Sequence, residues 1–197
     1  MLADQALNGV VQQIRDEHWD QPVPEGFHHL QTDRRPSLRE IVNDHAYDEA
    51  WVPDMLAGKT MDEVGRDKFD GDLLGDDPRA AFAALVERGM AAARQVDDLE
   101  RTAHLSFGDY TVRQYFQQIN GFRGLRANDI ARVIGVDHRL RDELVQGLWD
   151  EIAPQAEFLR RIGVFPPEVP VAPDAPLQDR LLGITGRDPR AGLSGQG

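Results

Sequence analysis

Cysteine is absent from this chain. Without a thiol there is no disulfide framework, no thiolate nucleophile and no Cys-ligated zinc. Lysine is nearly absent too: Lys59 and Lys68 are the only ones, and the other 20 of the 22 basic residues are arginine. No apolar run approaches the roughly 18 residues that a membrane span needs. Residues 1–20 lack the basic and continuously apolar regions of a signal peptide. These gaps predict a cytoplasmic protein with no membrane partner. Positive charge is also short, the net charge being −12, which argues against the phosphate neutralisation that nucleic-acid binding requires. Glycine-rich phosphate loops, Ser/His/Asp patterns and dinucleotide fingerprints are missing. So is strand-like alternation.

What the chain does have is helical periodicity. Its 197 residues, 41% of them apolar, suffice for one globular core. A short pattern over 2–18 carries Leu2, Leu7, Val10, Val11 and Ile14 on one side. Residues 19–36 hold prolines, Gly26 and the pair His28–His29 and read as a loop. Ser37-Leu38-Arg39-Glu40 has the capping-box pattern. The helix it opens runs to about Ala57, with Pro53 expected to kink or break it. After a charged, glycine-containing connection over 58–77, Pro78 opens a third helix over 78–100. Residues 101–108 are a short link. A long helix over 109–135 follows, with Val112, Phe116, Ile119, Ile130 and Val133 at helical spacing. Asp137 then caps a fifth helix through Ile152, bent at Pro154 and resumed to Ile162. A proline-rich segment leads to a last short helix in PLQDRLLGITG. The prediction is an all-α, up-down bundle, one domain over 1–187, with 188–197 a disordered tail.

Charge is distributed unevenly along this pattern. Residues 1–100 hold 22 acids and 10 bases, whereas residues 101–197 hold 12 of each. Arginines of the second half are therefore expected to face carboxylates of the first.

Candidate chemistry concentrates on two helices. His45 follows Ile41 and Val42 by one turn and faces inward, with Glu49 one turn further on. A histidine and a carboxylate so spaced can hold one metal ion, act as a base with its orienting partner, or form a buried hydrogen-bonded pair. Arg123 and Arg126 lie on or beside the apolar stripe of the long helix. A guanidinium there must reach solvent, pair with a carboxylate such as Asp48 or Glu49, or bind an anionic ligand. His18 and His138 fall at helix ends, and neither they, His104 nor the His28–His29 pair shows ligand spacing. Residues 129–145 superficially suggest a helix-turn-helix, but acids outnumber arginines in its second helix, the wrong balance for a DNA groove.

Three segments together resemble a known family. They are Ser37-Leu38-Arg39-Glu40-Ile41-Val42-Asn43-Asp44-His45, Asp129-Ile130-Ala131-Arg132-Val133-Ile134-Gly135, and Asp179-Arg180-Leu181-Leu182-Gly183-Ile184-Thr185-Gly186-Arg187-Asp188-Pro189. In order and spacing they are similar to actinobacterial DinB-like proteins related to the metal-binding domain of mycothiol-dependent maleylpyruvate isomerase. The resemblance implies a DinB-like four-helix bundle, a homodimer, and a divalent metal, zinc or nickel, held by three residues. The first ligand position is His45. The other two fall on Phe122 and Arg126, whose side chains do not ligate metal. The resemblance and the residue reading then meet in one expectation. Arg126 takes the volume and positive charge of the metal, with Glu49 or Asp48 as partner and His45 adjacent. His45, Asp48, Glu49, Phe122, Arg123 and Arg126 line the expected pocket. Two functions follow: a metal-free binding or accessory protein for a small anionic ligand or low-molecular-weight thiol, or a metal-dependent isomerase or transferase using a mycothiol-type thiol.

Overall fold

Capping chemistry sets the helix starts in the computed structural model, which describes residues 1–27 and 34–191. Ser37 accepts from the backbone N–H of Glu40 while Glu40 accepts from that of Ser37, and helix α2 (Leu38–Leu56) begins there. Asp77 caps α4 (Pro78–Ala93) through the N–H of Ala80. Thr111 and Gln114 form another capping box that opens α5 (Val112–Ile134), and Gly135 ends it with φ of 72°. Before them comes α1 (Leu2–Val11), and between α2 and α4 the single turn α3 (Met61–Val64). After them come α6 (Asp142–Ile152), α7 (Ala156–Arg161) and α8 (Leu177–Ile184). The fold is mostly helical.

Several boundaries differ from expectation, each for a local reason. The first helix stops at Val11 instead of continuing to residue 18. Gln13 and Ile14 close tighter bonds to Val10 and Val11, Arg15 is extended, and a 3-10 turn follows over Asp16–His18. The third stops at Ala93, short of residue 100; beyond it Asp98 accepts from the N–H of Glu100, a side-chain turn that competes with helix. The link at 101–108 is in fact part of an antiparallel hairpin, β1 (Thr102–Leu105) with β2 (Gly108–Thr111), so the strand-free reading is corrected. Asp137 caps only a local turn at Arg139, and α6 starts five residues later. Pro53 lies within α2 without breaking it, because in the last turn its missing N–H costs one helical bond. Within the segment expected to be a tail, the Arg132 guanidinium donates to the carbonyls of Asp188 and Ala191. Residues 192–197, also assigned to that tail, lie outside the described residues.

Three apolar clusters hold the elements together. The first joins α1, α2, α4 and α5 through Leu7, Val11, Val42, Phe82 and Ile130. The second joins α5, α6 and α8 through Leu125, Leu148 and Leu181. The third packs Trp51 and Met55 of α2 and Val112 and Tyr115 of α5 around Ala103 of β1. On both α2 and α5 the change from first to third cluster coincides with inward-facing polar residues: buried His45 and Glu49 on one, buried Arg123 and partly buried Arg126 on the other. A polar layer thus lies between apolar layers. No helix among the described residues is long and apolar enough to cross a membrane.

Candidate functional site

Arg123 is the centre of that layer, with only 3% of its surface exposed. Its Nη1 donates to Asp4 Oδ1 of α1 at 2.6 Å, and its Nε lies 2.9 Å from Glu49 Oε1 of α2. The second contact is ionic without hydrogen-bond geometry, and Glu49 Oε1 and Arg123 Nη2 have no hydrogen-bond partner among the described residues. One guanidinium therefore serves two buried carboxylates, but unequally.

Their acidities separate accordingly. Burial resists ionisation of Asp4, yet the Arg123 charge and the chain's amino group, 2.7 Å from Asp4 Oδ2, hold its carboxyl below the ordinary range. Burial pushes the Glu49 carboxyl up to about 7; Arg123 opposes this, and the neighbouring carboxylates Asp4 and Asp48 reinforce it. Asp4 is the counter-ion of Arg123, and Glu49 is the proton holder. Gly89 of α4 makes room for this carboxyl, since a Cβ there would come 2.9 Å from Glu49 Oε2. Tyr115, about two helical turns before Arg123 on α5, has its hydroxyl acidity lowered further by burial and stays neutral.

The second arginine has a different partner from the one expected. Arg126 Nε donates to His45 Nε2 at 3.1 Å, its Nη1 lies 3.7 Å from Asp129 Oδ2, and its guanidinium sits 4.7 Å above the Phe27 ring. The expected contact of Arg126 with Glu49 or Asp48 is corrected: Glu49 belongs to Arg123, and His45 and Asp129 hold Arg126. A guanidinium only donates, so His45 Nε2 supplies the lone pair and the ring proton sits on Nδ1. Burial, then the charges of Arg126 and Arg123, hold His45 well below the ordinary histidine pKa, so it is neutral.

Asp48 lies at the solvent edge of the layer, its carboxyl pushed up to about 6 by the surrounding protein, with Arg123 opposing and Asp44 adding. Phe122 is corrected outright. It is 56% exposed and lines nothing at this site, because turning Arg123 inward carries its neighbour about 100° away around the helix.

The described residues do not fit a divalent metal. The Nε2 lone pair of His45 accepts from Arg126, and among the described residues no group of three or more His, Asp or Glu is placed to hold an ion. The other histidines do not supply one. His18 bonds Arg15 at a helix end, His104 pairs with Asp109 across the hairpin, and the backbone of His138 accepts from Asn128 and Gln178. His28–His29 lie outside the described residues.

Three residues of the layer carried no recognised role in the sequence. Asp4 is 119 positions from Arg123, and nothing in α1 marks it. Asp129 takes a bidentate pair from Arg187, Nε and Nη2 at 2.8 and 2.9 Å, with both residues buried. A signal was available: Asp129 and Arg187 stand in two of the segments that carry the family resemblance.

Two clefts lie beside the layer. One cleft of about 580 Å³ is lined by Arg34, Arg39, Asn43 and Asp44 on the outer side of α2. Another, about 430 Å³, is lined by Leu2, Phe116, Asn120, Leu144, Leu148 and Glu151. Comparison of the chain with protein-family models, curated proteins and solved structures finds no match.

Proposed function

We propose that the protein is a metal-free, DinB-like four-helix bundle that works as a small-molecule-binding or accessory protein. The observation that carries this reading is the 3.1 Å bond from Arg126 Nε to His45 Nε2. It places a fixed cation where a ligated ion would need the imidazole lone pair. Arg126 is also supported by Asp129 and the Phe27 ring, so the arrangement is built from three sides. The family resemblance supports the bundle, and the departures at Phe122 and Arg126 support the loss of metal chemistry. An anionic ligand at Arg123 would have to compete with Asp4, which already serves as its counter-ion. Ligands are better accommodated by the clefts beside the layer. The thiol-dependent isomerase or transferase reading retains only His45.

Elemental analysis of protein purified without a histidine tag tests the reading. Zinc and nickel should be far below one equivalent, and His45→Ala should leave that content unchanged. Stoichiometric metal that disappears in His45→Ala would restore the metal-dependent enzyme.

A further inference from the structure

The cleft at the other end of the polar layer has a charge pattern that the His45–Arg126 cluster does not explain. Its walls are largely apolar: Leu2 of α1, Phe116 of α5, Leu144 and Leu148 of α6. The ionisable side chains lining it are both acids, Glu143 and Glu151. Glu143 lies in the first turn of α6, where a carboxylate complements the positive end of the helix dipole. Glu151 lies in the last turn, where a carboxylate opposes it. It is partly buried, burial raises its pKa, and among the described residues no hydrogen bond or ion pair reaches its carboxylate. An ionised, half-buried acid at the wrong end of a helix, facing an apolar cleft, is destabilising and is relieved by a cation.

Two other walls favour positive charge. Ala93, the last residue of α4, lines the cleft, so the negative end of that helix borders it, and the last turn of α4 has no basic residue. Phe116 offers an aromatic ring, the usual companion of carboxylates around ammonium groups. Met1 also lines the cleft, and its amino group is engaged by Asp4 at 2.7 Å. Space is left open at Gly147, where a Cβ would meet nothing within 4 Å.

We propose that this cleft, between α1, α5 and α6, binds a small apolar molecule bearing a protonated amine. The ammonium group pairs with Glu151, with Glu143 in support, and the hydrocarbon lies against Phe116, Leu144 and Leu148. This goes beyond the metal-free reading and does not depend on it, because neither His45 nor Arg126 lines the cleft.

Hexylamine, hexanol and hexanoate, titrated calorimetrically at about pH 7 where the amine is protonated, provide the test. Hexylamine should bind, and hexanoate should bind at least about tenfold more weakly. Glu151→Gln should weaken hexylamine about five- to tenfold and leave hexanol unchanged. Gly147→Leu should abolish binding of all three; it fills the open space at a position where leucine is a better helix former than glycine, and an unchanged circular-dichroism spectrum would show that the fold is kept. Absence of hexylamine binding, equal binding of hexanoate, or indifference to Glu151→Gln overturns the proposal.

Discussion

Replacing Glu49 with glutamine removes one titration from the core and should change how stability depends on pH. Its carboxyl, at 4.5 when unperturbed, is pushed up to about 7 in the fold by burial, with Arg123 opposing and Asp4 and Asp48 adding. Between those values the folded state holds a proton that the unfolded chain has released. The resulting stabilisation is complete below about pH 4.5 and is lost as pH rises through about 7. At about 1.4 kcal/mol per pH unit the whole effect is about 3 kcal/mol, most of it between about pH 5 and 8. Two neighbours titrate nearby. His45, neutral in the fold, has the opposite sign: its contribution is lost as pH falls through the ordinary histidine range. Asp48 has the sign of Glu49 but is exposed, and solvent screens it. The measurement is therefore a difference of differences. Urea unfolding free energies at about pH 5 and pH 8 are compared for wild type and Glu49→Gln. On going to the higher pH, wild type should lose about 2–3 kcal/mol more than the variant. An equal change in both proteins would refute the reasoning. So would a wild type that loses more than the variant as pH falls, since Glu49 would then be an ordinary ionised partner of Arg123.

Two further perturbations separate the remaining parts of the layer. Arg126→Met removes the donor to His45 Nε2 and a charge that depresses its pKa, so NMR titration should find the imidazole pKa raised, with stability lower by about 1–3 kcal/mol. An unmoved imidazole titration would contradict the contact. Asp129→Asn leaves the Arg187 guanidinium buried without its carboxylate, which should cost about 3–5 kcal/mol in chemical denaturation and speed tryptic cleavage at Arg187 and Arg190. A loss under about 1 kcal/mol with unchanged cleavage would remove Asp129 from the framework.

Helix starts were legible where a side chain caps the backbone within three residues. Ser37 with Glu40 and Asp77 with Pro78 are local signals, and the helices begin where they stand. The hairpin was not legible, because TAHL and GDYT are four-residue strands of mixed polarity, with no alternation long enough to stand out. The split charge distribution anticipated that second-half arginines meet first-half acids, as Arg123 does with Asp4 and Glu49. Which arginine meets which acid was not legible. Arg123 and Arg126 are about 60° apart around the helix, a difference smaller than the width of an apolar stripe. Only the packing of α5 against α1 and α2 gives Glu49 to one and His45 to the other. Asp4 was beyond reach for a related reason: no local pattern in α1 reports what lies across from it.

The ionic partners along α5 also limit how that helix can sit. Arg123 is tied to α1 and α2, Arg126 to α2, Asp129 to Arg187 just beyond α8, and Arg132 to the carbonyls of Asp188 and Ala191. Apolar side chains tolerate a small rotation or slide by exchanging one greasy neighbour for another. These four residues do not, because a turn of one residue would swing each charge by about 100° and leave it in hydrocarbon. The polar layer therefore works as an alignment key. It leaves α5 a single azimuth and a single axial position among packings that its apolar stripe alone would accept.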